Sequence, residues 1–344
     1  MTPFHEPFKP SSFVCEPASA LVITKSGEIE AISPKCSAPV TTFSKFAGIG
    51  RTASLLDDEL LIIGNDDDGT KGRYISIQKP RDGLLAMKYI IQELPLLQQP
   101  HQHSSLVSRN FLSVVGGKFG SGGKLSKSTW TELSLKMEDK SRYIPSFSDA
   151  CVIKVGVDVH ILFGGERTIG NKTTSSRQVV KINTTEEIVY EMKPMTYSRV
   201  SHDCELLNSS VVLVSGGLPS KGDDPTNILP DELYDIHSQK VIKVLEAGQS
   251  LKRIQHSTIK MGNRILALGG IDSNNTAPSM IKEFVLPTSS WKDLKQKLNS
   301  TNTDDLIIAP FPTASMDCMS NCRCGIVNRD KRIFGGSEAA VRSN

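Results

Sequence analysis

Aromatic residues are scarce, 6% of 344 residues with only two Trp, and no apolar run is longer than a few residues. The runs at 60–63, 211–214 and 265–268 fall far short of the ~20 residues that a membrane-spanning helix needs, so no membrane partner is expected. Neither sign of charge dominates. Lys+Arg number 40 against 37 Asp+Glu, and a net +3 is too weak to imply a nucleic-acid partner. Helix-forming blocks of Ala, Leu, Glu and Lys are also sparse. What is plentiful is Gly (26) and Pro (18), on a chain that is 38% hydrophobic and 22% charged. That composition supports a real core in a soluble, turn-rich, mostly β protein.

Cysteine and sequons bear on the compartment. The seven cysteines are Cys15, Cys36, Cys151, Cys204, Cys318, Cys322 and Cys324, an odd number that leaves one without a partner inside the chain. Five Asn-x-Ser/Thr sequons, at Asn171, Asn183, Asn208, Asn274 and Asn299, fall in segments that read as loops or strand ends. They favour a secreted glycoprotein. Against this, the first residues (MTPFHEP) have neither the basic nor the apolar region of a signal peptide. Either the protein is cytosolic or the true N-terminus lies upstream.

One unit recurs, an aliphatic run ending in glycine. It reads LLIIGN at 60–65, FLSVVGG at 111–117, HILFGG at 160–165, VVLVSGG at 211–217 and RILALGG at 264–270. The repeat glycines are Gly64, then Gly116 with Gly117, Gly164 with Gly165, Gly216 with Gly217, and Gly269 with Gly270, so successive first glycines are 52, 48, 52 and 53 residues apart. A weaker copy, ALVITKSG, lies at 20–27. A polar segment carrying Ser or His, such as Ser201-His202 or His256-Ser257, precedes each run by about ten residues and opens a first strand. A third strand, a tight turn and a fourth strand opened by a bulky residue follow, as at Tyr234-Asp235 and Trp291. The expected unit is a sheet of four short antiparallel strands. Such a sheet cannot bury both its faces alone, so copies must pack side by side.

The period near 50, the run into Gly-Gly, Tyr234-Asp235 and the bulky Trp130 or Trp291 resemble the kelch repeat. The resemblance covers roughly residues 15–315 and implies an all-β, six-bladed kelch-type β-propeller. The first two copies lack the glycine pair. A propeller must close or expose sheet edges, and residues 305–309 (DLIIA) are expected to complete the sheet begun near 20–32. Kelch propellers are interaction modules, so a protein or glycan ligand bound through the loops is the implied partner.

From Cys318 the text changes. IFGG at 333–336 looks like another repeat end, but it lies 66 residues beyond Gly269, is preceded by charged RDKR, and has no chain after it for further strands. Cys324-Gly325, then Arg332 followed by Ile333-Phe334-Gly335-Gly336-Ser337-Glu338-Ala339, resembles the activation junction of trypsin-like (chymotrypsin-fold) serine protease zymogens. Phe334 stands where that family usually has Val. The resemblance implies cleavage between Arg332 and Ile333. The new Ile333 ammonium would pair with an aspartate beside the nucleophilic serine and order the oxyanion hole. It also implies that Cys324 bonds to the protease domain. All seven histidines lie upstream of the junction and only twelve residues follow Arg332. This segment is therefore expected to have no proteolytic activity itself, and the parent protein to be a serine endopeptidase. The other expected pairings are Cys15–Cys36, Cys151–Cys204 and Cys318–Cys322, the middle pair because both occupy equivalent first-strand positions. The expected organisation is a tail at 1–14, a propeller at 15–317, a linker at 318–332 and the start of a protease domain at 333–344.

Other chemistries are weaker. His101 and His103 lack further ligands at metal spacing, and Asp66, Asp67, Asp68 and Gly69 lack the oxygen spacing of a calcium loop. The Gly/Lys-rich stretch 116–124 lacks the order of a phosphate loop. No Cys/Tyr/His cluster of the copper-oxidase kind is visible. No cofactor or metal is expected, and the histidines that open each unit read as strand-end hydrogen-bonders. The rival class is an intracellular kelch adaptor in the cytoplasm.

Overall fold

The fold was obtained as a computed structural model. It describes backbone and side chains at residues 135–138, 149–156, 158–167 and 172–298, and elsewhere only the backbone of strands. The architecture is all-β, with several sheets and a single short 3-10 turn at Pro225–Asn227 among the described residues.

Among the described residues six larger sheets follow one another along the chain. The first comprises Ser37–Thr42, Glu28–Ile32, Ser19–Ile23 and Ile307–Phe311, so its last strand comes from the far end of the repeat region. Ile307–Phe311 pairs antiparallel with Ser19–Ile23, Leu21 opposite Ala309. This is the pairing expected for 305–309, moved on by two residues. The second sheet runs Gly50–Leu56, Glu59–Asn65, Gly72–Gln78, Tyr89–Glu93. The third runs His103–Val107, Leu112–Gly116, Gly123–Ser126, Thr129–Glu132.

In the fourth, Cys151–Lys154, Val159–Phe163, Val179–Asn183 and Ile188–Met192 are joined at the outer edge by a parallel fifth strand, Lys136–Met137. The fifth runs Asp203–Leu206, Val211–Ser215, Glu232–Asp235, Lys240–Val244, and the sixth Ser257–Met261, Arg264–Leu268, Met280–Val285, Ser290–Lys297. The strand opened by Trp291 is thus the fourth of its sheet. First strands of successive sheets lie side by side from Gly50–Leu56 through His103–Val107, Cys151–Lys154, Asp203–Leu206 and Ser257–Met261. Ile307–Phe311 lies between the last of these and Gly50–Leu56.

In the fourth, fifth and sixth sheets the second strands Val159–Phe163, Val211–Ser215 and Arg264–Leu268 are buried at every position after the first. Val212 and Val214 point into the seam with the fourth sheet, where they meet Ile161, Phe163, Cys151 and Met195. Leu213, on the other face of the same pleat, joins Ile265, Phe284 and Leu245 in the seam with the sixth. Leu162 and Val180 face away from the fifth sheet, toward Leu135 and Val152. A continuous apolar run is what a strand needs when two neighbours cover it.

The glycine pairs sit where one sheet meets the next. Gly216 and Gly217 have φ of 59° and 87°. A Cβ on Gly217 would stand 2.7 Å from both the His202 Cβ and the Val200 carbonyl oxygen, and one on Gly216 would run into the Arg253 carbonyl oxygen. The left-handed backbone and the close approach both require glycine. Gly164, Gly165, Gly269 and Gly270 repeat the conformation, with φ of 62°, 85°, 61° and 82°. Gly116 ends a strand, and the surroundings of Gly116 and Gly117 lie outside the described residues.

Candidate functional site

Each described seam is built from the same parts. Arg199 and Arg253 are fully buried and begin an Arg-x-x-His unit with His202 and His256. Arg199 donates through Nη1 to the Gly216 carbonyl at 2.7 Å, and through Nη2 to the Pro230 carbonyl at 3.0 Å and Glu232 Oε1 at 2.6 Å. Arg253 repeats the two carbonyl bonds, with Gly269 at 3.1 Å and Met280 at 2.8 Å. The histidine of each unit reaches back to the preceding sheet. His202 Nε2 lies 2.9 Å from the Phe163 carbonyl, so it carries the proton. His256 Nε2 lies 2.8 Å from Ser215 Oγ. Burial, reinforced by Arg199 beside His202 and Arg253 beside His256, pushes both down to about 3 and keeps them neutral. Ser215 and His256 form a serine–histidine pair, but Ser215 is 0% exposed, so no substrate carbonyl can reach its Oγ. These histidines are strand-end hydrogen-bonders.

Acidic residues complete the seam. Asp231 accepts from Gly216 N and Leu251 N, and from Trp291 Nε1 of the sixth sheet at 2.7 Å. Burial, against those hydrogen bonds, raises it to about 6. Tyr234 donates to the Lys193 carbonyl at 2.7 Å and meets Phe163 edge to face at 5.3 Å. The bulky repeat residues Tyr234 and Trp291 therefore each fasten one sheet to the one before it.

The first strands, and Asp149 just before one of them, carry carboxylates that cap the next sheet. Asp149 accepts from Ser201 N, Asp203 from Thr258 N and Oγ1 (2.8 Å to the hydroxyl), and Glu205 from Lys260 N at 2.9 Å. A first strand is the edge of its sheet, and its outward N–H groups are orphans unless something accepts from them. Burial raises Asp203 to about 6 and, with the Asp203 charge adding to it, Glu205 to about 7.

Cys151 and Cys204 join the fourth and fifth sheets as a disulfide-distance pair, Cα–Cα 5.9 Å. The positions differ from the expected equivalence by one residue. Cys151 pairs with Phe163, directly before Gly164, whereas Cys204 pairs with Val214, two before Gly216. Two sheets that face each other present opposite faces of equivalent strands, so the side chains that meet must be offset by an odd number. Asp203 brings a carboxylate oxygen to the same place. It and the two Sγ atoms all lie within 4.8 Å of one another.

The connections after the glycine pairs have their exposed residues within 220–227 in the fifth sheet and at 274–277 in the sixth. Asp224 caps the 3-10 turn by accepting from Thr226 N at 2.8 Å. Lys221 reaches Glu166 across the sheets at 3.8 Å. Of the sequons, Asn183 and Asn208 organise turns through Oδ1, Asn183 accepting from Thr185 N and Glu186 N, and Asn208 from Ser210 N and Val211 N. Asn274 lies in an exposed turn on Asp272. A glycan attaches at Nδ2, so it leaves these turns intact.

Several sequence expectations lie outside the described residues: Asn171, Asn299, Cys15, Cys36, Arg332 and Ile333, and with them the activation junction. In backbone register Cys318 lies opposite Cys324, while Cys322 is outside the paired strands. Arg199, Arg253, Asp231 and Glu232 were missed in the sequence. The repeated Arg-x-x-His, 54 residues apart, was the available signal. Among the described residues no helix is long and apolar enough to cross a membrane. No protein-family model matches the chain, and no curated protein is significantly similar to it.

Proposed function

We propose that residues 15–317 form a six-bladed kelch-type β-propeller that binds a protein or glycan through its loop rim. In this reading it is the non-catalytic N-terminal part of a secreted trypsin-like serine protease zymogen. The observation that carries the propeller is the side-by-side order of five first strands, with Ile307–Phe311 between Ser257–Met261 and Gly50–Leu56. Sheets of this kind bury both faces everywhere only when the last meets the first. The exposed connections then vary freely on a rigid frame, which is where binding function resides. The zymogen half rests on Cys324-Gly325 and on Arg332 before Ile333-Phe334-Gly335-Gly336. The Cys151–Cys204 pair favours an oxidising compartment over the intracellular adaptor reading.

The test is the chain expressed in a secreting cell. Intact mass before and after glycan removal should fall by the mass of N-glycans, and alkylation should find one free thiol. Brief trypsin treatment should cut first after Arg332 and leave Ile333 as a new N-terminus. A bare chain with seven reactive thiols, cut first elsewhere, would leave the adaptor reading standing instead.

A further inference from the structure

We propose that the Cys151–Cys204 seam, once its disulfide is reduced, is a binding site for a divalent cation of the zinc class, with Cys151 Sγ, Cys204 Sγ and Asp203 as ligands. The three donor atoms already lie within 4.8 Å of one another. Around a tetrahedral zinc, with metal–sulfur near 2.3 Å and metal–oxygen near 2.0–2.2 Å, such atoms stand about 3.5–3.8 Å apart. The adjustment is therefore one of side-chain torsions, with the strands left where they are. The Cα separation of 5.9 Å serves both states.

The chemistry of the set selects the ion. Two thiolates favour Zn2+, Cd2+ or Co2+ over Mg2+ and Ca2+. Cys151 and Cys204 are buried among Phe163, Val214, Tyr234 and Met195, which exclude water from the sulfur side. A solvent molecule would be the fourth ligand, and Asp203 is intermediate in exposure as a residue. Its carboxylate is already oriented by the Thr258 amide and hydroxyl, the kind of outer partner that fixes a ligand's direction.

The steps balance. A dithiol or phosphine reductant gives two electrons to the S–S bond and is itself oxidised. The sulfurs take two protons and become thiols. The cation then displaces both protons to solvent as two metal–sulfur bonds form. Oxidant and metal therefore compete for the same two sulfurs, and the seam is held shut in either state. The inference needs only the fourth and fifth sheets, so its failure leaves the proposed function as it stood.

The experiment uses the full chain with Cys15, Cys36, Cys318, Cys322 and Cys324 changed to Ser, reduced with a phosphine under anaerobic conditions and titrated with Co2+. A sulfur-to-cobalt charge-transfer band should saturate at one equivalent and vanish on adding Zn2+. Asp203→Asn should weaken cobalt binding tenfold or more while still forming the disulfide on oxidation. Near-UV circular dichroism reports folding throughout. Absence of the band in the folded, reduced chain overturns the proposal, as does loss of folding on reduction. Persistence of the band with Cys151→Ser and Cys204→Ser also overturns it, as does unchanged affinity in Asp203→Asn.

Discussion

Replacing Glu232 by Gln tests how the seam is held. Glu232 is fully buried and accepts from three donors, Thr196 N at 3.0 Å, Tyr197 N at 3.1 Å and Arg199 Nη2 at 2.6 Å. The amide has one acceptor oxygen, and its NH2 must face another donor. Arg199 keeps its bonds to the Gly216 and Pro230 carbonyls but loses its counter-charge while remaining buried. Breaking a buried pair from one side costs about 3–5 kcal/mol. Folded domains hold only about 5–15 kcal/mol in total, so the variant should lose a large share of its stability. Urea unfolding read by tryptophan fluorescence is suited to this, because the indole of Trp291, one of the two tryptophans, bonds Asp231 in the adjoining seam. The midpoint should fall with little change in slope. The double variant Arg199→Met with Glu232→Leu should cost less than the two single changes together, since neither charge is then stranded. A loss below about 1 kcal/mol for Glu232→Gln, or plain additivity, would refute the account of a pair whose partners depend on each other.

Further outcomes follow from the same geometry. Cys151→Ser should destabilise by up to about 4 kcal/mol, the chain-entropy value for a 53-residue separation, and a reductant should remove the difference between variant and parent in thermal unfolding. Gly216→Ala should cost more than Gly222→Ala. Both have positive φ, 59° and 86°, but a Cβ meets the Arg253 carbonyl at the first and open space at the second. Left-handed strain alone is about 1 kcal/mol, so equal losses would show that the close approach is irrelevant. Burial raises Asp203 from 3.8 to about 6 and Glu205 from 4.5 to about 7, so over that range the folded state holds more protons than the unfolded chain. Their contribution is full below pH 4 and is lost as pH rises to 7, by up to about 3 kcal/mol each. His202 and His256, lowered to about 3, act in the opposite sense below pH 6.5. The readout is therefore a difference: stability of Asp203→Asn/Glu205→Gln minus that of the parent should climb between pH 4 and 7. Parallel curves would remove the raised carboxylates from the account.

Much of the strand plan was local and therefore legible. Runs such as 211–214 and 265–268 are apolar at every position because both faces are packed, and each leads into glycines whose left-handed φ no other residue adopts at low cost. The strand near 305–309 was visible as a run lacking a sheet of its own. The seam chemistry was less legible. Asp149, Ser201 and Gln255 all take φ between 52° and 56° just before a first strand, yet share no residue type. Asp203 and Glu205 look like ordinary surface acids until the neighbouring edge strand is in place.

By itself the sequence determined that the chain is β, that its unit is about 50 residues long, and where each second strand ends. These follow from pleat periodicity and backbone sterics, which act within a few residues. Only the tertiary structure decided which arginine is buried against Glu232 and which orphan amides the first-strand carboxylates cap. Those depend on how one sheet's face lies against the next across some fifty residues of chain, where a one-residue offset exchanges the faces that touch.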